Sequence, residues 1–340
     1  MKNLNRDYIN MPFSHIYVEE SVRDHPRTQE ILARLPFAKV IRISHYKDVF
    51  CRSGQRHLLQ HAAQSLILAA NSGELLYPGS PVCQSFGNEY FYYTSCIRNC
   101  IYDCAYCYLK GMYPSANIVI FVNLEDYFER VAQILESHPL YLCVSYDTDL
   151  LALEGVAGYV GAWMRFAAGY SGQLKLEIRT KCANEQFFAN RKPMSNVIFA
   201  FTLSPQAVVE AYEYGTSSNA QRLRCVAAAL RAGFAVRLCF DPMIYIPDWQ
   251  SHYDVMLAEV FDRIPMGDVV DVSIGSFRIS QDYLKNMRRQ EPECAAVWFP
   301  YQKENGFYHY PRNLMGQMEQ FLVERIKEKM PKEKIFLWND

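Results

Sequence analysis

The stretch Cys96-Ile-Arg-Asn-Cys100-Ile-Tyr-Asp-Cys104-Ala-Tyr106-Cys107-Tyr108-Leu109 gathers four of the 11 cysteines of this chain. The others (Cys51, Cys83, Cys143, Cys182, Cys225, Cys239 and Cys294) stand singly. A [4Fe-4S] cluster needs soft thiolate ligands on a short loop whose backbone amides also reach the sulfurs. Cys100-x3-Cys104-x2-Cys107 supplies three such ligands in one turn of chain. Three ligands for four irons leave one iron open, which is the arrangement needed if a cofactor or substrate is to bind the metal directly. Cys96 reads as a strand-end residue after Glu89-Tyr-Phe-Tyr-Tyr-Thr-Ser95. Counted as a fourth ligand, it makes a closed electron-transfer cluster or a zinc site, although zinc sites usually pair two C-x2-C units and only Cys104/Cys107 has that spacing. Unliganded core cysteines are the plainest alternative.

Outward from this loop, short β-branched or aromatic runs alternate with amphipathic segments. The strands expected are Asn117 to Val122, Leu140 to Ser145, Leu174 to Thr180, Asn196 to Leu203, Ala235 to Phe240 and Val269 to Ile274. Between them lie helical patterns: Leu124 to Glu136 with Asn123 as N-cap, Gly155 to Ala168, Pro205 to Tyr214, Ala220 to Ala232 closed by Gly233, and Trp249 to Arg263. Such alternation predicts an α/β fold with a mostly parallel sheet. Counted from Tyr90, about six strands fall short of an eight-stranded closure, so a partial (β/α)6 barrel is expected, with its site at the carboxyl ends of the strands. Residues 1–85 read as an N-terminal cap with a helix from Gln55 to Asn71 (Leu58, Leu59, Ala62, Ala63, Leu66, Ile67), residues 86–280 as the barrel, and residues 281–340 as a C-terminal hairpin and closing helix from Leu314 to Lys329.

The 340 residues are 50% hydrophobic and 21% charged, a soluble globular composition. No apolar run approaches the roughly 18 residues of a membrane span, since Val226 to Leu230 already ends at Arg231. The first twenty residues hold Lys2, Arg6, Asp7, Glu19 and Glu20 and no secretory core. The expectation is a cytoplasmic chain with reduced thiols and no membrane partner. With 35 basic against 36 acidic residues there is no global positive field, so nucleic acid would have to be held by a local patch.

Tyr106 beside the last cysteine completes a CxxxCxΦC pattern similar to that of the radical S-adenosylmethionine enzymes. Within that superfamily the chain resembles the spore photoproduct lyases. Cys104-Ala-Tyr106-Cys107-Tyr108-Leu109 is similar to the family's Cys-x-Tyr-Cys-Tyr-Leu. Glu213-Tyr-Gly215-Thr216-Ser217-Ser218-Asn-Ala-Gln-Arg222-Leu223 resembles its Glu-x-Gly-Thr-Ser-Ser and Arg-Leu segment, and Cys143-Val-Ser145-Tyr146-Asp147 its lone strand-end cysteine followed by serine and an acidic residue. The resemblance implies a DNA-repair lyase that reverses the methylene-linked thymine dimer of UV-damaged DNA to two thymines through a 5′-deoxyadenosyl radical. It further implies a [4Fe-4S] cluster on Cys100, Cys104 and Cys107, S-adenosylmethionine as cofactor, and a low-potential donor such as ferredoxin or flavodoxin. The same radical chemistry on another nucleic-acid or small-molecule substrate, or a non-enzymatic iron-sulfur or zinc protein, are the other readings.

For single residues the resemblance implies Cys143 as hydrogen donor to the product radical, with Tyr106 and Tyr108 as relays. A weak S–H bond suits the first role and a phenol the second. Tyr106, Ser145, Lys181 of the Thr180-Lys181 pair, Ser204 and Ser217 are the cofactor contacts it implies. The plainer readings are a buried strand cysteine, packing aromatics, a solvated strand-end lysine and a helix N-cap cluster. Near the C-terminus the family carries a basic, tyrosine-rich hairpin. Here Gln302-Lys303-Glu304-Asn305-Gly306-Phe307-Tyr308-His309-Tyr310-Pro311 keeps its aromatic frame but has Glu304 and Phe307 where uncharged and basic residues are expected. Arg278, Arg288, Arg289, Lys303 and Tyr308 are the expected DNA contacts. Lys285 joins the arginines in a substitute patch whose plain reading is a solvated helix face.

Overall fold

The structure, a computed structural model, describes residues 13–80 and 83–338. Its larger sheet has eight strands in the order β18 (Ile335–Leu337), β14 (Asp271–Ser276), β13 (Ala235–Met243), β11 (Val197–Thr202), β10 (Leu174–Thr180), β9 (Leu140–Cys143), β5 (Phe91–Tyr93) and β4 (Tyr77–Pro78). All neighbours from β5 to β18 pair in parallel, and only β4 is antiparallel. The sheet curls into a partial barrel whose edges, β4 and β18, do not meet. Burial on both faces explains the composition of the strands: all six residues of Val-Ile-Phe-Ala-Phe-Thr in β11 are buried, as a parallel strand covered by helices requires.

The crossover helices follow the periodicity, with local adjustments. Trp249–Arg263 forms as expected. Gly155 to Ala168 splits into Glu154–Ala157 and Tyr159–Ala168 at Gly158, whose φ of 71° no helix accommodates. Asn219–Arg231 opens with a capping box between Ser218 and Gln221, so part of the polar 215–218 turn is indeed a helix cap. The closing helix spans Arg312–Ile326.

Two expectations fail. The helix predicted from Gln55 to Asn71 is a single turn, His57–His61, followed by strand β3 (Leu66–Ala69). All four residues of β3 are buried, and a strand buried on both faces has no alternation to distinguish it from a helix. The run at Asn117 to Val122 is a strand, β8 (Ile118–Phe121), but it lies outside the barrel. It joins a second, five-stranded sheet, β2 (Lys39–Ile43), β1 (His15–Glu19), β3, β8 and β6 (Ile97–Arg98). Its barrel place is taken by β5, so the six central strands are β5, β9, β10, β11, β13 and β14. The N-terminal sheet therefore draws two strands from chain beyond residue 85. One hydrophobic core runs through both sheets.

Candidate active site

The cysteine loop leaves the N-terminal sheet at Asn99, in the left-handed region at φ 68°. Asn99 is held there by its side-chain amide, which donates to the carbonyls of Ser115 and Asn117. Gln64 donates to the Cys100 carbonyl at 2.9 Å and to that of Ala116 at 2.8 Å. A two-stranded ladder of β7 (Asp103–Cys104) with β12 (Glu213–Tyr214) then pins Cys104 opposite Glu213. Burial pushes all three thiols up, Cys104 to about 12, and Cys100 is raised further by Asp149 and by Cys107 and Cys104. Opposing this, the Tyr102 amide faces the Cys100 sulfur, the Leu109 amide that of Cys107, and the charge of Lys181 lies near both Cys104 and Cys107. Soft donors with amides and cations aimed at them fit an iron-sulfur cluster. Cys96 stands apart, fully buried beside Trp163.

Glu213 is the hub beside this loop. It accepts hydrogen bonds from the Tyr106 hydroxyl, from Ser204 Oγ at 2.8 Å and from the Arg222 guanidinium. Arg222, fully buried, also donates to the carbonyls of Ser217 (2.9 Å) and Thr202 (3.1 Å) and to Thr216 Oγ1 (2.7 Å). Burial alone would raise the Glu213 carboxyl; Arg222 and Lys181 overcome it and hold it at about 2. The Lys181 ammonium sits 5.6 Å from the centroid of the Tyr106 ring. Among the described residues it makes no hydrogen bond. Asp149 fixes the strand end behind it, accepting from Thr180 Oγ1 at 2.8 Å and from the Lys181 amide at 2.7 Å. Ser217 Oγ accepts from the Ala183 amide at 3.1 Å. Tyr106, Lys181, Ser204 and Ser217 are thus gathered around Glu213 and Arg222.

Ser145 lies instead with Cys143. Its hydroxyl accepts from the Arg179 amide at 2.6 Å. Cys143, buried at the carboxyl end of β9, stands in register with Tyr93 and Glu177. Burial pushes its thiol up, next the Glu177 carboxylate, so it stays protonated as S–H. Tyr146 stacks on Tyr93 at 4.0 Å and lies 5.9 Å from the Tyr108 ring. Its hydroxyl is 3.3 Å from Cys83 Sγ. Tyr108 donates to the Tyr146 carbonyl at 2.7 Å and to Asp147 at 3.0 Å, and Asp147 also accepts from Tyr113 at 2.8 Å and from Ser95. A chain of phenols therefore runs past the Cys143 strand end.

The expected DNA contacts divide. Arg278 on β15 (Arg278–Ser280) turns inward to Asp241 at 3.2 Å and 3.3 Å and away from solvent. Lys303 on β16 (Gln302–Glu304) and Tyr308 on β17 (Phe307–His309) are cross-strand partners in a hairpin that pairs with β15. Tyr308 shares a groove with Lys285, Arg288, Arg289 and Trp298 of the helix Gln281–Gln290 and the segment after it. Glu304, the charge that departs from the family pattern, is neutralised by Arg312 at 2.6 Å and faces His309 at 3.4 Å. The groove helix is clamped to the cysteine loop. Buried Lys110 bridges Asp103 at 2.6 Å and Glu291, and a Cβ on Gly111 would come within 2.3 Å of the Tyr283 carbonyl.

Glu213, Arg222 and Asp147, which hold these groups in place, lie inside the quoted motifs but are not among the expected site residues. Asp149 and Arg179 lie outside every quoted motif, and Cys83 stands there only as a single cysteine, because a buried charge or thiol carries no local pattern.

The chain matches the spore photoproduct lyase family over residues 89–338. It is 22% identical to the spore photoproduct lyase of Clostridium acetobutylicum over 244 residues, spanning 68% of this chain and 71% of the relative. To the spore photoproduct lyase of Bacillus subtilis it is 19% identical over 260 residues, spanning 74% and 73%. A solved spore photoproduct lyase complexed with dinucleoside spore photoproduct superposes with a TM-score of 0.82 at 17% identity, covering 97% of this chain and 99% of that one. This last likeness is one of fold.

Proposed function

The chain belongs to the spore photoproduct lyase family, within the radical S-adenosylmethionine superfamily, and we propose that it repairs the spore photoproduct in UV-damaged DNA, restoring two thymines. The observation that carries this reading is the placement of three cysteines on one loop, with Cys104 paired to the Glu213–Arg222 hub and Cys143 at a strand end of the same partial barrel. Cys100, Cys104 and Cys107 would hold a [4Fe-4S] cluster, Tyr106, Lys181, Ser204 and Ser217 would surround S-adenosylmethionine, and Ser145 would meet it from the Cys143 side. Together these groups supply, when bound and reduced, a 5′-deoxyadenosyl radical able to take hydrogen from an unactivated carbon.

The chain's own residues do the rest. Lys181 offers an anionic group of the cofactor an ammonium that makes no hydrogen bond among the described residues, while the Glu213–Arg222 pair, itself neutral overall, holds the Tyr106 ring and the 215–218 turn in place. Cys143 keeps its proton because burial disfavours the thiolate, so the thiol is available as a hydrogen-atom donor to a carbon radical. Tyr108, fixed by Asp147, lies on the phenol chain along which the resulting thiyl radical would be passed. Lys285, Arg288, Arg289 and Lys303 supply phosphate contacts, with Tyr308 and Trp298 as surfaces for an extruded base.

The test is an anaerobic assay with reduced, reconstituted enzyme, S-adenosylmethionine and the methylene-linked thymine dinucleotide. Two intact thymines are expected. Cleavage of the cofactor without consumption of the dinucleotide would move the substrate elsewhere and leave the radical chemistry standing.

A further inference from the structure

We propose that the surface of residues 51–61, lying over the cysteine loop, is the docking face for a small acidic one-electron-donor protein. The inference rests on Cys100, Cys104 and Cys107 being the cluster ligands, and goes beyond that reading by placing its electron entry. Electron transfer weakens steeply with distance, so a donor must approach through the thinnest cover. His57 and His61 line one small cavity with Cys100, Cys107, Tyr102 and Lys110, so a single turn of helix lies between the ligands and solvent on this side. That turn is tied to the loop by His61 Nε2, 3.2 Å from the Tyr102 carbonyl.

The outer side of the turn has the chemistry of a transient redox interface. Leu59 is 65% exposed and forms an apolar centre. Arg52 and Arg56 precede it in the chain, both exposed, and among the described residues neither side chain makes a hydrogen bond or ion pair. From residue 49 to residue 73 the chain contains no Asp or Glu. An exposed apolar side chain on a segment with two uncompensated guanidinium groups attracts an anionic partner into a small, rapidly exchanging contact. The other exposed flank of the loop, at Tyr214, has the Glu291 carboxylate beside it, while Asp103, 3.8 Å from His61, is shared by both sides and bridged by the Lys110 ammonium. That flank offers an acidic donor no unpaired cation, and beyond it lies the groove assigned to DNA. The exchange is one electron: the donor's reduced flavin ends one electron more oxidised and the resting cluster one electron reduced.

The test uses the cluster-loaded enzyme carrying Arg52→Glu and Arg56→Glu, with reduced flavodoxin as the donor and photoreduced 5-deazariboflavin as a small neutral reductant. Reduction followed by the cluster's visible absorbance should slow about tenfold with flavodoxin at low salt and lose its normal slowing by added salt. With the flavin reagent the two proteins should reduce at equal rates. Binding is read independently: oxidised flavodoxin added to the unaltered enzyme should slow amide exchange across residues 51–61. An unchanged flavodoxin rate and salt dependence, equal slowing with both reductants, or protection on a different face would each overturn the proposal. Failure of the unaltered protein to take up iron would overturn the ligand assignment itself, and is seen before any donor is added.

Discussion

The hub around Glu213 and the groove beside Trp298 both concentrate positive charge, but they treat it in opposite ways. In the hub, Arg222 and Glu213 are fully removed from water and paired, and the guanidinium also meets two carbonyls and a hydroxyl. In the groove, Arg288 has one side-chain bond, to the Val297 carbonyl at 3.2 Å, and lies 5.1 Å from the Trp298 ring, and Arg289 and Lys285 make no ion pair among the described residues. A buried charge is tolerable only when countered, so in the hub it fixes geometry. An exposed and uncountered charge remains available to a partner's phosphates. Substitutions should therefore damage assembly and chemistry at the first region and affinity alone at the second.

The largest effect is expected at the cysteine loop. Alanine at Cys100, Cys104 or Cys107 should abolish reductive cleavage of S-adenosylmethionine and lower iron content, whereas Cys96→Ala should leave iron near four per chain as for an open-site cluster. Loss of iron in Cys96→Ala would restore the four-cysteine reading. Next comes the hub. Glu213→Ala strands a buried guanidinium and should destabilise the protein by about 3–5 kcal/mol in denaturant titration, while alanine at Arg289 should change stability by less than about 0.5 kcal/mol. Equal small effects would erase the contrast between the two regions.

Cys143→Ala should cost only on the order of 1 kcal/mol, the cavity left by one sulfur. Its signature is chemical: substrate is still consumed, but mass spectrometry should find thymine adducts in place of clean thymine. Clean product at a normal rate would remove Cys143 as the donor. The mildest change is expected from Arg288→Ala with Arg289→Ala. Each lost phosphate contact should reduce the slope of log affinity against log salt by about 1, leaving cofactor cleavage with a chemical reductant untouched. An unaltered slope would place the DNA patch elsewhere.

Part of the site was legible because its signals are local. The cysteine spacing, the tyrosines around Cys107 and the Glu213-to-Arg222 segment each fit within a dozen residues, and short spacing survives in sequence whatever the rest of the chain does. Glu304 shows the opposite case: read alone it opposes DNA, yet Arg312 cancels it across the hairpin's end. Arg278 looked like a phosphate ligand until Asp241 drew it inward. Neither pairing has a pattern in the chain, because an ion pair needs only proximity and leaves no periodicity behind.

The ligand spacing, the alternation of strand and helix, five of the six expected barrel strands and the helix Trp249–Arg263 are legible in the chain alone, since apolar periodicity and short-range spacing are read residue by residue. Tertiary structure decided which sheet receives Ile118–Phe121, whether Leu66–Ala69 extends or coils, and which charges are buried against which. β8 is apolar on every residue and would suit either sheet; its hydrogen bonds to β3 settle the choice. Lys110 and Glu291 are 181 residues apart in the chain, and only the folded loop brings them together. Burial of apolar surface is encoded locally by composition, whereas the pairing of buried charges and of strands is a choice among distant partners that only the closed fold makes.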